Sequence, residues 1–155
     1  MRKFKFRLES VLQIKNRREE LRQRELSAAE RLREQARQQL TVWQEQIAEI
    51  MRFYREQLQN SFDPRSAGDY YAYLNWLNRE RTAAEALLRQ REAEAHAAQA
   101  RLVEAARERR MIEQLKEKAL QEYQFAELQA EINFLDELGT GRFVRAAGLA
   151  QEGQR

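Results

Sequence analysis

The sequence predicts an all-α protein built as a long antiparallel two-helix coiled coil, and three observations carry that prediction. Proline occurs once, at Pro64, and the five glycines are Gly68 beside it and Gly139, Gly141, Gly148 and Gly153 near the C-terminus. Two stretches, about 1–62 and 69–138, are therefore free of helix breakers. Apolar residues recur at alternating steps of three and four along both stretches, which is the signature of a coiled-coil seam. Charge is segregated: residues 1–24 hold nine Lys or Arg against three Glu, while residues 119–138 hold five acids and no base. A hairpin would bring those ends together, whereas a parallel dimer of extended chains would stack like charge on like. The expected organisation is one hairpin domain, 1–138, with helices at about 7–60 and 66–138, a hinge at about 61–69, and a flexible, disordered tail at 139–155.

Each element has its own justification. The opening "MRKFKFRLES" threads Phe4 and Phe6 between cations and leads into the first helix. There the seam reads Val11, Ile14, Arg18, Leu21, Glu25, Ala28, Leu32, then Ala36, Leu40, Trp43, Ile47, Ile50 and Tyr54. The consecutive four-residue steps through Ala36 predict a stutter, which locally unwinds a supercoil. Leu8, Leu12 and Leu26 fall off this line, so the seam is broad near the N-terminus. The hinge "NSFDPRSAGD" is dense in turn formers, with Asp63, Ser66 and Asp69 as candidate N-caps. In the second helix the seam runs without interruption from Leu74 and Leu77 through Arg81, Ala84, Leu88 and Arg91 to Tyr123, Ala126, Ala130 and Asn133. Its long basic members can lay their methylenes along a partner. At a rise of ~1.5 Å per residue the helices should span roughly 80 and about 100 Å. Beyond "LDELG" the chain turns Gly-rich and the seam ends.

Composition excludes several function classes. The chain has no cysteine, so disulfide scaffolding and thiolate metal sites are out. No apolar run matches a secretory signal or the ~20 residues of a membrane span, and a soluble, intracellular protein is expected. Catalysis requires a desolvated pocket with converging titratable groups, and two paired helices have almost no interior. No enzyme, cofactor or metal site is expected: His96 stands alone among alanines, and "GTGR" at 139–142 lacks P-loop spacing. The net charge of only +3 argues against a nucleic-acid binder. A short "RKFKF" offers little to a membrane surface.

Aromatic residues are more informative. Trp43, Phe53, Tyr54, Phe62, Tyr70, Tyr71, Tyr73 and Trp76 crowd around the hinge. Adjacent residues on a helix lie ~100° apart, so pairs such as Phe53 with Tyr54 and Tyr70 with Tyr71 cannot all face one partner. Part of this cluster should be exposed, as protein interfaces are.

Several blocks resemble the FliJ family of flagellar type III export proteins: "FKFRLESVLQIKNRREE" at the start, "YYAYLNWLNRE" after the hinge, "LVEAARERRMIEQLKEK" in the second helix, and "LDELG". The resemblance implies a coiled coil similar to the rotor stalk of rotary ATP synthases. It also implies a nonenzymatic role in bacterial flagellum biogenesis and motility, at the inner-membrane base of the flagellum. The partners it implies are the hexameric flagellar export ATPase, the cytoplasmic domain of the export-gate membrane protein, and export chaperones. By that resemblance Phe4, Phe6 and Arg7 would contact the ATPase ring at the open end of the hairpin. Trp43, Ile47, Ile50, Tyr54, Tyr73, Leu74 and Leu77 would contact the gate near the hinge. An injectisome stalk protein and a generic coiled-coil oligomerisation scaffold are the alternatives.

Overall fold

In a computed structural model the described residues are 3–61 and 63–152. They form two helices, α1 (Glu9–Asn60) and α2 (Pro64–Glu152). Phe62, one of the hinge aromatics, lies outside the described residues.

The break between the helices is shorter than the turn formers suggest, because the turn residues also start α2. Asp63 is its N-cap: the Asp63 side-chain Oδ1 accepts from Arg65 N at 3.0 Å, and the Asp63 carbonyl accepts from Ser66 N and Ser66 Oγ at 3.2 and 2.7 Å. Pro64 takes the first helical position, where its missing N–H costs nothing and its fixed φ suits the helix. Ser66 and Asp69, the other candidate caps, are inside α2. At the other end, Leu8 supplies the carbonyl for the first α1 bond, accepting from Leu12 N at 2.9 Å. Glu9 then sits in the first turn, where a carboxylate complements the helix dipole.

The chain divides into two compact units, Asn16–Arg107 and Met1–Lys15 with Glu108–Arg155. Asn16–Arg107 contains the hinge and is an antiparallel pair. As α1 partners ascend, α2 partners descend: Glu25 meets Arg101 (4.0 Å), Arg37 meets Glu92 (4.0 Å), Trp43 meets Trp76, and Tyr54 meets Tyr70. The α2 side of the seam follows the sequence reading residue for residue, with Leu77, Ala84, Ala95, Ala98 and Ala105 buried. Alanines there let the helices approach closely. On the α1 side Leu26, Ala36 and Ile47 are buried, with Glu19, Arg22, Ala29, Arg33, Leu40, Trp43, Ile50 and Tyr54 partly buried between them. This line keeps three-four spacing throughout, so the expected stutter at Ala36 is absent.

In the unit containing both chain ends, the pairing is again antiparallel. Phe4 packs on Tyr123, Glu9 meets Lys116 at 2.8 Å, and Lys15 meets Glu108 at 2.8 Å. Leu12 is buried (7% exposed), whereas Ile14, which the sequence reading placed on the seam, is 61% exposed. The charge pairing also differs from expectation. One bridge takes its cation from α1 and the other from α2, and the Lys3, Lys5 and Arg7 side chains make no ion pair with described residues. The reason is register: the arm meets α2 with Phe4 at Tyr123, whereas Glu131, Asp136 and Glu137 lie more than two turns further along α2. Both bridges are only partly buried, and solvent-accessible pairs are worth only about 0–1 kcal/mol.

α2 does not stop at 138 but continues to Glu152, through Gly139 and Gly141. What ends early is its packing: from Leu128 to Thr140 every residue is exposed, including Ala130 and Asn133 of the expected seam. A single unpacked helix carrying three glycines, Gly139, Gly141 and Gly148, is marginal in water. That is the physical content of the expected tail.

Candidate functional site

At the open end, residues 3–8 form an arm in front of α1 with a period of two. Phe4, Phe6 and Leu8 are half-buried, while Lys3, Lys5 and Arg7 are exposed. Alternation of this sort is what extended backbone produces. The Phe4 ring lies 5.5 Å from that of Tyr123, tilted by 54°, and the Phe6 carbonyl accepts from Glu9 N at 3.2 Å. One side of the arm is thus held to α2 through Phe4, with Phe6 half-buried beside it, and the other presents a row of three cations. Of the three arm residues predicted to be functional, only Arg7 is turned outward.

Near the hinge, the aromatics form two clusters of three rings. Tyr54 lies flat against Tyr70 (centroids 3.8 Å, 5° between planes), and Tyr71 meets both edge-on. Trp43 meets Trp76 edge-on at 90°, and Tyr73 stacks with Trp76 at 5.8 Å. Trp76 therefore bridges seam and surface. Ile47 and Leu77 are buried, and Trp43, Ile50, Tyr54 and Leu74 are partly buried in the seam. Tyr73, Phe53, Tyr71 and Trp76 are exposed. An open groove of ≈ 460 Å³ is lined by Gln46, Glu49, Ile50, Phe53 and Tyr73. Phe53 and Trp76 are the surface residues that the seam pattern passed over, and their off-seam positions beside Tyr54 and Leu77 are the signal that marks them.

A second furrow of ≈ 740 Å³ is lined by α2 residues alone, including Asn75, Asn78, Arg79 and Thr82. Asn78 and Thr82 spend their side-chain donors on the α2 carbonyls of Leu74 and Asn78. Among the described residues no group of three or more His, Cys, Asp or Glu could hold a metal ion. His96 is exposed.

Two phenols titrate abnormally. Tyr123 Oη donates to the Glu127 carboxylate, and that bond, followed by burial, raises its pKa above the ordinary 10.0. Burial, then the neighbouring Tyr71 and Tyr54, raises that of Tyr70. A phenol harder to ionise folded than unfolded contributes stability that is intact below pH 10.0 and disappears as pH rises through the folded value. Melting temperatures followed by circular dichroism should therefore decline as pH rises above about 10, and Tyr70→Phe and Tyr123→Phe should each lessen the decline.

The family model described as Flagellar FliJ protein matches residues 4–148, spanning the arm, both helices and the unpacked part of α2. The chain belongs to the FliJ family. It is thereby associated with flagellar type III export, in a family that is not enzymatic. No curated protein and no solved structure matches the chain. No helix among the described residues is long and apolar enough to cross a membrane.

Proposed function

We propose that the chain is a nonenzymatic stalk and adaptor of the flagellar type III export apparatus, cytoplasmic and held at the flagellar base at the inner membrane. The open end enters the hexameric export ATPase and promotes its assembly and activity. The hinge end contacts the cytoplasmic domain of the export-gate membrane protein, and the protein also handles export chaperones. The observation that carries this reading is the FliJ-family arm with its two unlike sides. Phe4 packs on Tyr123 of α2, Phe6 is half-buried, and Arg7, with Lys3 and Lys5, is exposed on the opposite side of the arm. Unpaired exposed cations make contacts that are individually weak, which suits a ring whose subunits change shape at each turnover. At the other end the gate contact is made by Tyr73 with Phe53 and Trp76. Trp43, Ile47, Ile50, Tyr54, Leu74 and Leu77 act from beneath by holding that surface in shape.

ATP hydrolysis by the purified export ATPase, measured with and without the chain, tests the ring contact. The full chain is expected to raise turnover. A triple reversal, Lys3→Glu, Lys5→Glu and Arg7→Glu, is expected to abolish the stimulation while leaving helicity intact. Equal stimulation by the reversed arm would remove the arm from the ring contact. No stimulation by either, under conditions in which the ring assembles, would favour a generic scaffold or an injectisome component.

A further inference from the structure

The end of α2 carries a stripe unrelated to its seam. Leu128, Ile132 and Leu135 are spaced i, i+4, i+7 and so share one face; they are 55, 43 and 59% exposed. Glu131 flanks the stripe on one side and Asp136 on the other. Neither carboxylate has an ion-pair partner among the described residues. With no base anywhere from 119 to 138, this face repels nucleic acid and anionic lipid. Its complement is an apolar helical stripe flanked by cations.

The chain itself carries such a stripe. On the outer face of α1, Leu21, Ala28 and Leu32 are exposed. This is the line that the sequence reading took for the seam and that the pairing with α2 leaves uncovered. Arg17, Arg24 and Arg31 run beside it at seven-residue intervals, so all three fall on one flank. None has an ion-pair partner among the described residues.

We infer that two copies of the chain associate through these unlike faces, the acidic stripe at Leu128–Leu135 of one copy lying along the basic stripe at Leu21–Leu32 of the other. Leucines and isoleucine supply the apolar contact, while one of the two flanking acids lies against the arginine row: Asp136 where the helices run parallel, Glu131 where they run antiparallel. The charges fix which face meets which, since acid on acid or base on base is repelled.

Sedimentation of the full chain over a concentration series, up to roughly 0.1 mM, provides the test. The mass should rise above 18.5 kDa and the rise should weaken with added salt. Two reversed variants are compared, one with Glu131→Lys and Asp136→Lys, the other with Arg17→Glu, Arg24→Glu and Arg31→Glu. All these residues are exposed, and circular dichroism checks that both variants keep their helicity. Each alone should associate about tenfold or more weakly, and an equimolar mixture of the two should recover the association. Because the chain has no cysteine, Gln129→Cys in one copy and Ala28→Cys in another should crosslink specifically to each other. A chain that stays monomeric throughout overturns the inference and leaves the acidic stripe to a basic helix of another protein. Association that survives either reversal, or that the mixture fails to restore, overturns it as well.

Discussion

Leu77→Ala should destabilise the hinge-containing unit by about 2–4 kcal/mol, read as a lowered midpoint in urea unfolding followed by circular dichroism. Leu77 is the one large side chain described as fully shielded from solvent, at 0% exposure. It lies one residue beyond Trp76, whose ring contacts both Trp43 and Tyr73. Two helices cannot collapse around a void as a multilayered core can, so the lost contacts should be replaced only in part. Binding to the gate domain should weaken together with stability. Trp76→Ala, by contrast, acts on a half-exposed ring and should reduce binding by more than it reduces the unfolding midpoint. If both variants lost binding only in proportion to stability, the exposed aromatics would be packing residues and the proposed gate surface would lie elsewhere.

The second large effect distinguishes the two possible seams of α1. Leu26→Ala should cost about 2–3 kcal/mol, whereas Ile14→Ala should change stability by no more than about 0.5 kcal/mol. The first side chain is buried and the second is mostly in solvent. Equal costs would mean that the helix presents both stripes to α2 in alternating states. Because Leu26 and Ile14 are both large aliphatic residues of α1, the comparison reads position and not chemistry.

That contrast also shows what the sequence could and could not convey. The two-helix fold, the hinge and the α2 seam from Leu74 to Tyr123 were legible because one apolar line there has no rival. In α1 two lines compete. One passes through Ile14, Leu21 and Leu32, and the other through Leu8, Leu12 and Leu26 with Lys15, Glu19, Arg22 and Arg33 between them. Counting apolar residues favours the first, but a seam is selected by the pair of helices jointly. An unbroken heptad line on α2 requires an unbroken line opposite, and long charged side chains can complete it with their methylenes. The charge segregation pointed correctly to an antiparallel arrangement, although the bridges that form are Glu9–Lys116 and Lys15–Glu108. Charge balance summed over a segment carries no register. At the hinge, the aromatic cluster was visible as composition. Which rings face outward depended on their angular position, and Phe53 and Trp76 could be placed only once the seam was fixed.

In the middle of the hinge-containing unit the α1 line (Leu26, Ala29, Arg33, Ala36, Leu40) and the α2 line (Ala84, Leu88, Arg91, Ala95, Ala98, Leu102) are built from leucine, alanine and arginine alone. No aromatic or β-branched residue there gives one heptad a shape that its neighbours lack. Alignment must then be dictated by the tyrosine and tryptophan rings beside the turn, in the way that the stop at one end of a zip fastener aligns identical teeth. A matched deletion of seven residues from each helix, taken from this stretch, should leave those rings in place and yield a shorter hairpin that still closes. The hinge-containing unit is then modular in length there, and could be shortened or lengthened by whole heptads without redrawing the turn.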